Sequence, residues 1–236
     1  MINGIISGTG KIITIEECLQ SNQNVPKPIL ETIMPNSRFS YDPNAYGVGE
    51  IISCLRKSYF DRVQGHAETL GNLHRSQVGS AIHDSFLKRY DMTEKQMTLG
   101  FDHNGVKLYI KGKFDGYDFK EKTLVEVKTK QDVSKISKPY DINILQLQCF
   151  ATLAKTTLNL QVERLQVIYI DFNELKLFDI PFKDQLDFMK QRTVMLHEAI
   201  TKRQEPREEL SSICQSCSFN QKCSLPAYLI PKTLRR

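Results

Sequence analysis

The sequence lacks tryptophan, internal repeats, low-complexity tracts and any long hydrophobic run within its 236 residues. A transmembrane helix needs about 20 predominantly apolar residues, so a transmembrane helix is excluded. The first positive charge is Lys11, so there is no basic leader and no secretory signal is expected. We therefore expect a cytoplasmic protein without a membrane partner. Hydrophobic residues make up 40% and charged residues 25%, a balance typical of globular rather than disordered proteins.

Neither sign of charge dominates, because 32 Lys and Arg residues oppose 27 Asp and Glu residues and leave a net charge of +5. This excess permits an anionic partner without demanding one. The six cysteines are more informative. A disulfide framework is a poor explanation in a protein without a secretory signal, so metal binding, catalysis or burial remain as their roles.

Hydrophobic periodicity predicts a mixed α/β protein. Apolar spacings of three and four predict helices over residues 46–62, 77–90, 141–158 and 183–203. Alternation predicts strands over 98–101, 106–119, 123–130, 164–172 and 175–180, with turn chemistry at Asp102-His-Asn-Gly105. Residues 65–76 are predicted to be a loop. Residues 1–40 are weakly patterned and are predicted to be an extended or partly mobile arm with a short helix near 15–19.

The first chemical signal lies in the predicted strand Thr123-Leu-Val-Glu-Val-Lys-Thr-Lys130. Alternation places Val125 and Val127 on one face, and Glu126 and Lys128 together on the other. An edge strand with an ion pair on its exposed face would explain this common pattern. In a central strand, buried charges are tolerated only when they are paired or bound to a metal.

Asp115 precedes Gly116 in the preceding strand, and on its own it is typical of a turn residue. In a hairpin, its carboxylate could converge with that of Glu126 at the strand ends. Two carboxylates with nearby backbone carbonyl oxygens suit a hard divalent cation such as Mg²⁺ or Mn²⁺. Lys128 would lie beside them, where its ammonium could orient or activate a water or stabilise a developing oxyanion.

His83 is a candidate third ligand. A lone histidine on a partly exposed helix face needs no function, but neutral imidazole is a good ligand for Mn²⁺ and is tolerable beside Mg²⁺. Gly79, one turn earlier, would let another backbone pass close to this helix. Of the five histidines, only His83 lies in a predicted helix upstream of the carboxylate hairpin with so small a neighbour.

The C-terminal cysteines, Cys214-Gln-Ser-Cys217 and Cys223, form a C-x2-C-x5-C pattern that strongly indicates metal ligation. A closed Zn²⁺ or iron–sulfur site needs a fourth ligand, for which Cys18, Cys54 and Cys149 are the candidates. Cys149 falls in a predicted helix, where a buried thiol is the default, and Cys18 falls in the arm. Chemistry alone gives a modest preference for Cys54, which has a basic flank. Spacing does not distinguish zinc from iron–sulfur.

The order of these residues is Cys54, Gly79-x3-His83, Asp115, Glu126-x-Lys128, Gln146-x3-Phe150 and then the three C-terminal cysteines. It resembles the RecB-like nucleases of the PD-(D/E)XK superfamily that carry an iron–sulfur cluster, over residues 46–226. By size and arrangement, the resemblance is closest to the fourth CRISPR-associated (Cas) nuclease family. Phe150 stands where that family usually has tyrosine, and Phe114 stands where the superfamily has its nominal proline.

The resemblance implies an α/β (α+β), restriction-endonuclease-like core, with a mixed central sheet flanked by helices. It also implies a Cys-rich iron–sulfur region that joins an N-terminal helix to the C-terminal tail. The expected divisions are an arm of unknown role over 1–45, the nuclease core over 46–205 and a cluster-binding tail over 206–236.

Two sites are implied by the resemblance. The cluster, usually [4Fe–4S] with [2Fe–2S] or zinc left open, would be bound by Cys54, Cys214, Cys217 and Cys223. The catalytic Mn²⁺ or Mg²⁺ would be held by His83, Asp115, Glu126 and the carbonyl of Val127. Lys128 would serve the attacking water, and Gln146 matches the family's glutamine, expected to touch DNA or order the site. Arg56, Lys57 and Lys130 are further candidates for DNA binding.

The implied activity is metal-dependent hydrolysis of DNA, as an exonuclease, an endonuclease or both, on single strands or frayed ends. The family implies a role in antiviral defence, through CRISPR spacer acquisition with the CRISPR integrase complex as partner. A recombination, repair or virus-encoded nuclease of the same fold is the alternative. A non-catalytic DNA-binding or assembly module with a zinc-stapled tail would explain the cysteines, but it leaves the carboxylates and Lys128 as coincidence.

Overall fold

The computed structural model describes residues 2–7, 10–21, 26–33, 42–211, 214 and 217–224. The strands are β1 (Ile2–Ile6), β2 (Ile12–Ile13), β3 (Ala45–Gly47), β4 (His66–Thr69), β5 (Met92–Thr93), β6 (Gln96–His103), β7 (Val106–Lys113), β8 (Gly116–Asp118), β9 (Thr123–Thr129), β10 (Arg164–Ile170) and β11 (Leu175–Ile180). The helices are α1 (Ile15–Ser21), α2 (Lys27–Ile33), α3 (Val48–Ile52), α4 (Leu55–Val63), α5 (Leu70–Leu87), α6 (Asp141–Leu158) and α7 (Leu186–Thr201), with a short 3-10 helix at Asn220–Lys222. The predicted mixed α/β architecture, with mixed sheets flanked by helices, is confirmed.

The largest sheet has the strand order β11-β10-β9-β8-β5, in which only β9 and β10 run parallel. Strand β9 is therefore central, and the interpretation of this segment as an edge strand is wrong. Its two faces separate as the alternation predicts. Leu124 belongs to the main core with α6, whereas Val125 and Val127 pack in a smaller cluster with Leu87 of α5. Helices α5 and α6 thus lie on opposite faces of β9.

A second sheet, β3-β7-β6, contributes to the same main core. Strands β6 and β7 form the predicted hairpin, in which Asn104 and Gly105 have φ angles of +50° and +79°. Positive φ at both central residues is the requirement of a two-residue type I′ turn, for which Asn-Gly is a favoured sequence. The turn prediction is confirmed.

The described N-terminal residues form more regular structure than the weak pattern predicts. Strand β1 pairs with β2 in antiparallel fashion and with β4 in parallel fashion. Ile5 of β1 is fully buried with Cys18 of α1 and Leu73 of α5, so apolar burial holds this small sheet in place. The short helix predicted near 15–19 is confirmed, whereas the predicted loop over 65–76 is β4 and the first turns of α5.

Two elements that were predicted to be continuous are broken. The predicted helix over 46–62 is β3, α3 and α4, with Ser53 and Cys54 between the two helices. The predicted strand over 106–119 is β7 and β8, which belong to different sheets and are separated by Phe114 and Asp115. Two predicted site residues, Cys54 and Asp115, therefore lie at the breaks and not inside regular elements.

Among the described residues, no helix has both the length and the apolar character needed to span a membrane.

Candidate functional site

Glu126 lies in the middle of β9 and is 2% exposed. Its Oε1 accepts a short hydrogen bond from the Lys128 ammonium, whereas its buried Oε2 has no hydrogen-bond partner in the described part of the chain. Burial raises the pKa of Glu126 to about 7, and the Asp115 charge adds to this while Lys128 opposes it. Burying a carboxylate oxygen without a hydrogen-bond donor costs free energy, and a bound ligand at this atom would offset that cost.

Asp115 lies between the end of β7 and the start of β8, where the chain leaves one sheet and enters the other. This leaves a gap beside β9. Strand β8 pairs with β9 up to Gly116 and Val125, and beyond that point the Asp115 Oδ2 accepts a 2.7 Å hydrogen bond from the Val127 N–H. The side chain thus replaces a missing strand partner. Burial raises the pKa of Asp115, while the Val127 N–H, His83 and Lys128 oppose that shift. Since the N–H and C=O of a strand residue point to the same edge, the Val127 carbonyl also faces this gap.

His83 reaches the same gap from α5. The helix approaches β9 closely at Gly79, where an added Cβ would lie 3.1 Å from the Thr129 Oγ1. One turn later, His83 Nδ1 lies 3.7 Å from the Asp115 Oδ2. This separation is too long for a hydrogen bond but suits two atoms that share one ion at about 2.1 Å each. The close neighbour of Gly79 is thus the Thr129 side chain and not the backbone that the sequence analysis expected.

The four predicted catalytic residues, His83, Asp115, Glu126 and Lys128, therefore converge. In the described residues, no three His, Cys, Asp or Glu side chains already form a metal-ligating group. The donors nevertheless fit Mn²⁺ or Mg²⁺. Two carboxylates, an imidazole and a backbone carbonyl lie near one another, and one carboxylate has a buried oxygen without a hydrogen-bond partner among the described residues.

Tyr169 supports this site and was missed by the sequence analysis. It is the register partner of Lys128 across β9 and β10, and it is fully buried. Its hydroxyl accepts hydrogen bonds from the Tyr140 N–H at 2.9 Å and the Asn143 amide at 2.8 Å, which fixes the start of α6 beside Lys128. The alternation within β10 indicates its face, but its register with β9 is a tertiary property.

The predicted substrate-binding residues fall into two groups. Gln146 is half-buried in α6, and the Lys130 ammonium lies 4.8 Å from the centre of the exposed Tyr140 ring. Lys130 follows Lys128 by two residues, and Gln146 lies one turn after Asn143, which donates to the Tyr169 hydroxyl. Arg56 and Lys57 instead contact their own chain near the cysteines: Arg56 donates to the carbonyls of Pro206 and Lys222, and Lys57 pairs with Asp61.

Cys54 is the N-cap residue of α4, and the C-terminal tail lies against this break. Burial raises the pKa of the Cys217 thiol; Cys54 and Cys214 raise it further, and Lys57 lowers it. Burial likewise raises the pKa of Cys223, with Cys54 and Cys217 adding to the shift and Arg56 opposing it. Cys54 and the three tail thiols therefore form one electrostatic neighbourhood, with two cations beside it.

These thiols also receive backbone donors. The N–H of Ser211 lies 3.2 Å from the Cys214 sulfur, and the N–H of Phe219 lies 3.4 Å from the Cys217 sulfur. Hydrogen bonds to sulfur and nearby cations stabilise metal-bound thiolates. Four thiols with this support fit a tetrathiolate zinc or iron–sulfur group, although they lie in no preformed ligating group among the described residues.

The other two cysteines are core residues. Cys18 is 3% exposed beside Ile5, and Cys149 is fully buried in α6, where burial raises the pKa of its thiol to about 12. A thiol so hard to ionise is a poor ligand and a poor nucleophile. The prediction that Cys18 and Cys149 are ordinary residues agrees with this burial.

Comparisons with known proteins give a fold and no family. No protein-family model matches the chain, and no curated protein matches it. Among solved structures, the chain is similar to the crystal structure of SSO0001, with a TM-score of 0.61 and 17% sequence identity. The match covers 90% of this chain and 97% of that chain. At this identity, the similarity shows a shared fold.

Proposed function

We propose that this protein is a divalent-metal-dependent deoxyribonuclease of the RecB-like, PD-(D/E)XK kind, with a restriction-endonuclease-like core. The observation that carries the proposal is the buried Glu126 carboxylate, whose Oε2 lacks a partner in the described residues. It lies beside Asp115, His83 and Lys128, a set that has no evident purpose in a purely structural protein.

Asp115, Glu126, His83 and the Val127 carbonyl would hold Mn²⁺ or Mg²⁺. The bound ion would polarise a phosphoryl oxygen and lower the pKa of a water. Asp115 is fixed for this role because its other task, accepting from the Val127 N–H, locks its rotamer. Lys128 is 25% exposed in its side chain and can leave Glu126 to orient the attacking water or the scissile phosphate.

Single-stranded DNA or a frayed end is the proposed substrate. Lys130 follows Lys128 by two residues, and its ammonium lies 4.8 Å from the ring centre of Tyr140, a residue that is 44% exposed. A cation with an aromatic ring is a common arrangement for binding single strands. Gln146, in the second turn of α6, would contact the same strand.

The four-cysteine neighbourhood supports a further part of the proposal, an iron–sulfur cluster bound by Cys54, Cys214, Cys217 and Cys223. With that cluster, the protein would be most similar to the fourth CRISPR-associated (Cas) nuclease family. Its proposed role is then to process DNA in the cytoplasm before integration, in contact with the CRISPR integrase complex.

A cleavage assay tests the activity. We expect the protein to degrade an end-labelled single-stranded oligonucleotide with Mn²⁺ and to be inactive in EDTA, and a circular single strand separates endonuclease from exonuclease action. Glu126→Ala and Lys128→Ala should each lower the rate at least about a thousandfold. Unchanged cleavage by either variant would overturn the site assignment.

Matched controls come from the exposed β8–β9 turn, where Lys120→Ala and Glu121→Ala should cleave like the wild type. Metal analysis and the visible spectrum of anaerobically purified protein test the cluster, since iron–sulfur protein is brown and zinc protein is colourless. A wild-type protein that binds DNA and zinc but never cleaves would instead favour the non-catalytic module.

A further inference from the structure

Arg192 of α7 holds one side of the break that carries Cys54. Its Nε donates to the Ile51 carbonyl at 2.8 Å, and its Nη2 donates to the Ser53 carbonyl at 2.5 Å. The last carbonyls of a helix have no partner within the helix. Arg192 therefore caps the C-terminus of α3 from a distant part of the chain.

Glu209 of the tail holds the other side of the break. Its Oε2 accepts from the N–H of Leu55, the first residue of α4, at 3.4 Å. A helix N-terminus has free N–H groups and favours a negative charge. Glu209 thus serves α4 as Arg192 serves α3, and Cys54 lies between the two capped ends.

The two capping residues are also bonded to each other. Arg192 Nη1 donates to Glu209 Oε1 at 2.7 Å, and Arg192 Nη2 donates to Glu209 Oε2 at 3.1 Å. Such a two-pronged arginine–carboxylate pair is stronger and more specific in geometry than a single contact. The Arg192 side chain is 16% exposed, so solvent screens the pair only in part.

The pair reaches the tail thiols as well. The backbone carbonyl of Glu209 accepts from the Cys214 thiol at 3.9 Å, so one residue touches both the Cys54 break and a tail cysteine. Arg56 also ties the tail down, through the carbonyls of Pro206 and Lys222, but it begins beyond the break and leaves the end of α3 uncapped.

We propose that Arg192 and Glu209 are positioning residues that dock the cysteine tail on the α3–α4 break and set the thiol site before a metal binds. The contacts need no metal, since every one of them is between protein atoms. The proposal rests on the proposed function only in assigning a metal to the four thiols.

The first test is cysteine alkylation in reduced, metal-free protein, read at each cysteine by mass spectrometry. We expect Glu209→Ala and Arg192→Lys to raise the alkylation rates of Cys54 and Cys214 roughly tenfold, the effect of losing one charge-assisted hydrogen-bonded pair. Cys149 should stay unreactive, because it is buried in the core. Arg164→Lys, in the exposed pair with Asp179, is the matched control and should behave as the wild type.

The second test is a Co²⁺ titration of the metal-free protein, followed by thiolate-to-metal absorption. Glu209→Ala and Arg192→Lys should weaken Co²⁺ binding roughly tenfold. Glu209→Gln should recover part of the loss, because its amide oxygen can still accept from the Leu55 N–H. If Arg192→Lys does not fold, Glu209→Ala decides, since it leaves the Arg192 bonds to Ile51 and Ser53 in place.

Unchanged alkylation and unchanged Co²⁺ affinity in Glu209→Ala would overturn the proposal. A rise at Cys149 in step with Cys54 would also overturn it, because it would reveal general destabilisation rather than a positioning role. If the wild type binds no Co²⁺, the proposed metal assignment fails by itself, and the alkylation pattern still decides whether the pair docks the tail.

Discussion

The carboxylate site and the thiol site of this protein are built in opposite ways. Glu126 and Lys128 lie in β9, Asp115 lies directly before the neighbouring β8, and core packing on both faces of β9 holds them. The thiol site joins Cys54 to a tail from the far end of the chain, and polar contacts such as Arg192–Glu209 hold much of it. The first site holds buried carboxylates within the packed core, whereas the second depends on polar contacts between distant segments for its assembly.

Removing charge from the carboxylate site should therefore lower DNA cleavage without changing metal binding at the thiol site. Glu126→Gln and Asp115→Asn keep the shape of the side chains but remove the negative charge that a divalent ion requires. We expect DNA cleavage to fall about a thousandfold or more, with the iron or zinc content of the purified protein unchanged. A parallel loss of thiol-bound metal would show that the two sites are one unit.

Glu126→Gln should also stabilise the metal-free protein. The pKa of Glu126 is about 7 in the folded protein and 4.5 ordinarily, so the folded state binds more protons between these values. Stability from this group is complete below pH 4.5 and is lost as the pH rises through 7. Glu126→Gln should therefore raise the free energy of unfolding by up to about 3 kcal/mol at pH 8.

Urea unfolding of wild type and Glu126→Gln in EDTA, at pH 8 and pH 5, measures this gain, which should shrink at the lower pH. Equal stability of the two proteins at pH 8 would mean that burying the ionised carboxylate costs no free energy of folding.

Two substitutions at Asp115 should separate its role as a hydrogen-bond acceptor from its role as a negative charge. Asp115→Ala leaves the buried Val127 N–H without an acceptor, and we expect a loss of about 1 to 3 kcal/mol in unfolding free energy. Asp115→Asn retains an acceptor oxygen and should lose less stability while remaining inactive. Urea unfolding of the two variants at one pH makes the comparison, and equal losses would argue against the role of Asp115 as a strand partner.

The smallest effect is expected when a substitution in the thiol site is tested for its influence on metal binding at the carboxylate site. Cys217→Ser removes a tail thiol and should lower the iron or zinc content of the protein. Because no residue belongs to both sites, Mn²⁺ affinity at the carboxylates should stay within about twofold of the wild type. Calorimetric titration measures it, and a larger change would show that the tail supports the active site.

Much of the carboxylate site could be predicted from the sequence because its determinants are local. The alternation in 123–130 gave the two faces of β9, and helix α6 begins and ends at the predicted residues 141 and 158. Neighbouring strands then bring Asp115 and Glu126 together. The pairing of β9 with β10, and hence the support from Tyr169, depends on register between distant segments and is invisible to periodicity.

The breaks could not be predicted for a related reason. Val48, Ile51, Ile52, Leu55 and Tyr59 all face the core, so the helical spacing continues across the break at Cys54. The groups that cap the two helix ends there are Arg192 and Glu209, more than a hundred residues away. Likewise, Leu108, Ile110 and Phe114 keep one alternation up to the break, and that pattern does not predict that β8 enters a different sheet.

Calorimetric titration of Mn²⁺ into wild type and Glu126→Gln, at pH 8 and pH 6, tests the central claim that the buried Glu126 carboxylate binds the catalytic metal. A ligand with a pKa of about 7 must lose its proton first, so wild-type affinity should fall about tenfold between pH 8 and pH 6. Glu126→Gln should bind Mn²⁺ at least about a hundredfold more weakly at pH 8. Mn²⁺ binding of equal strength in both proteins would contradict the account.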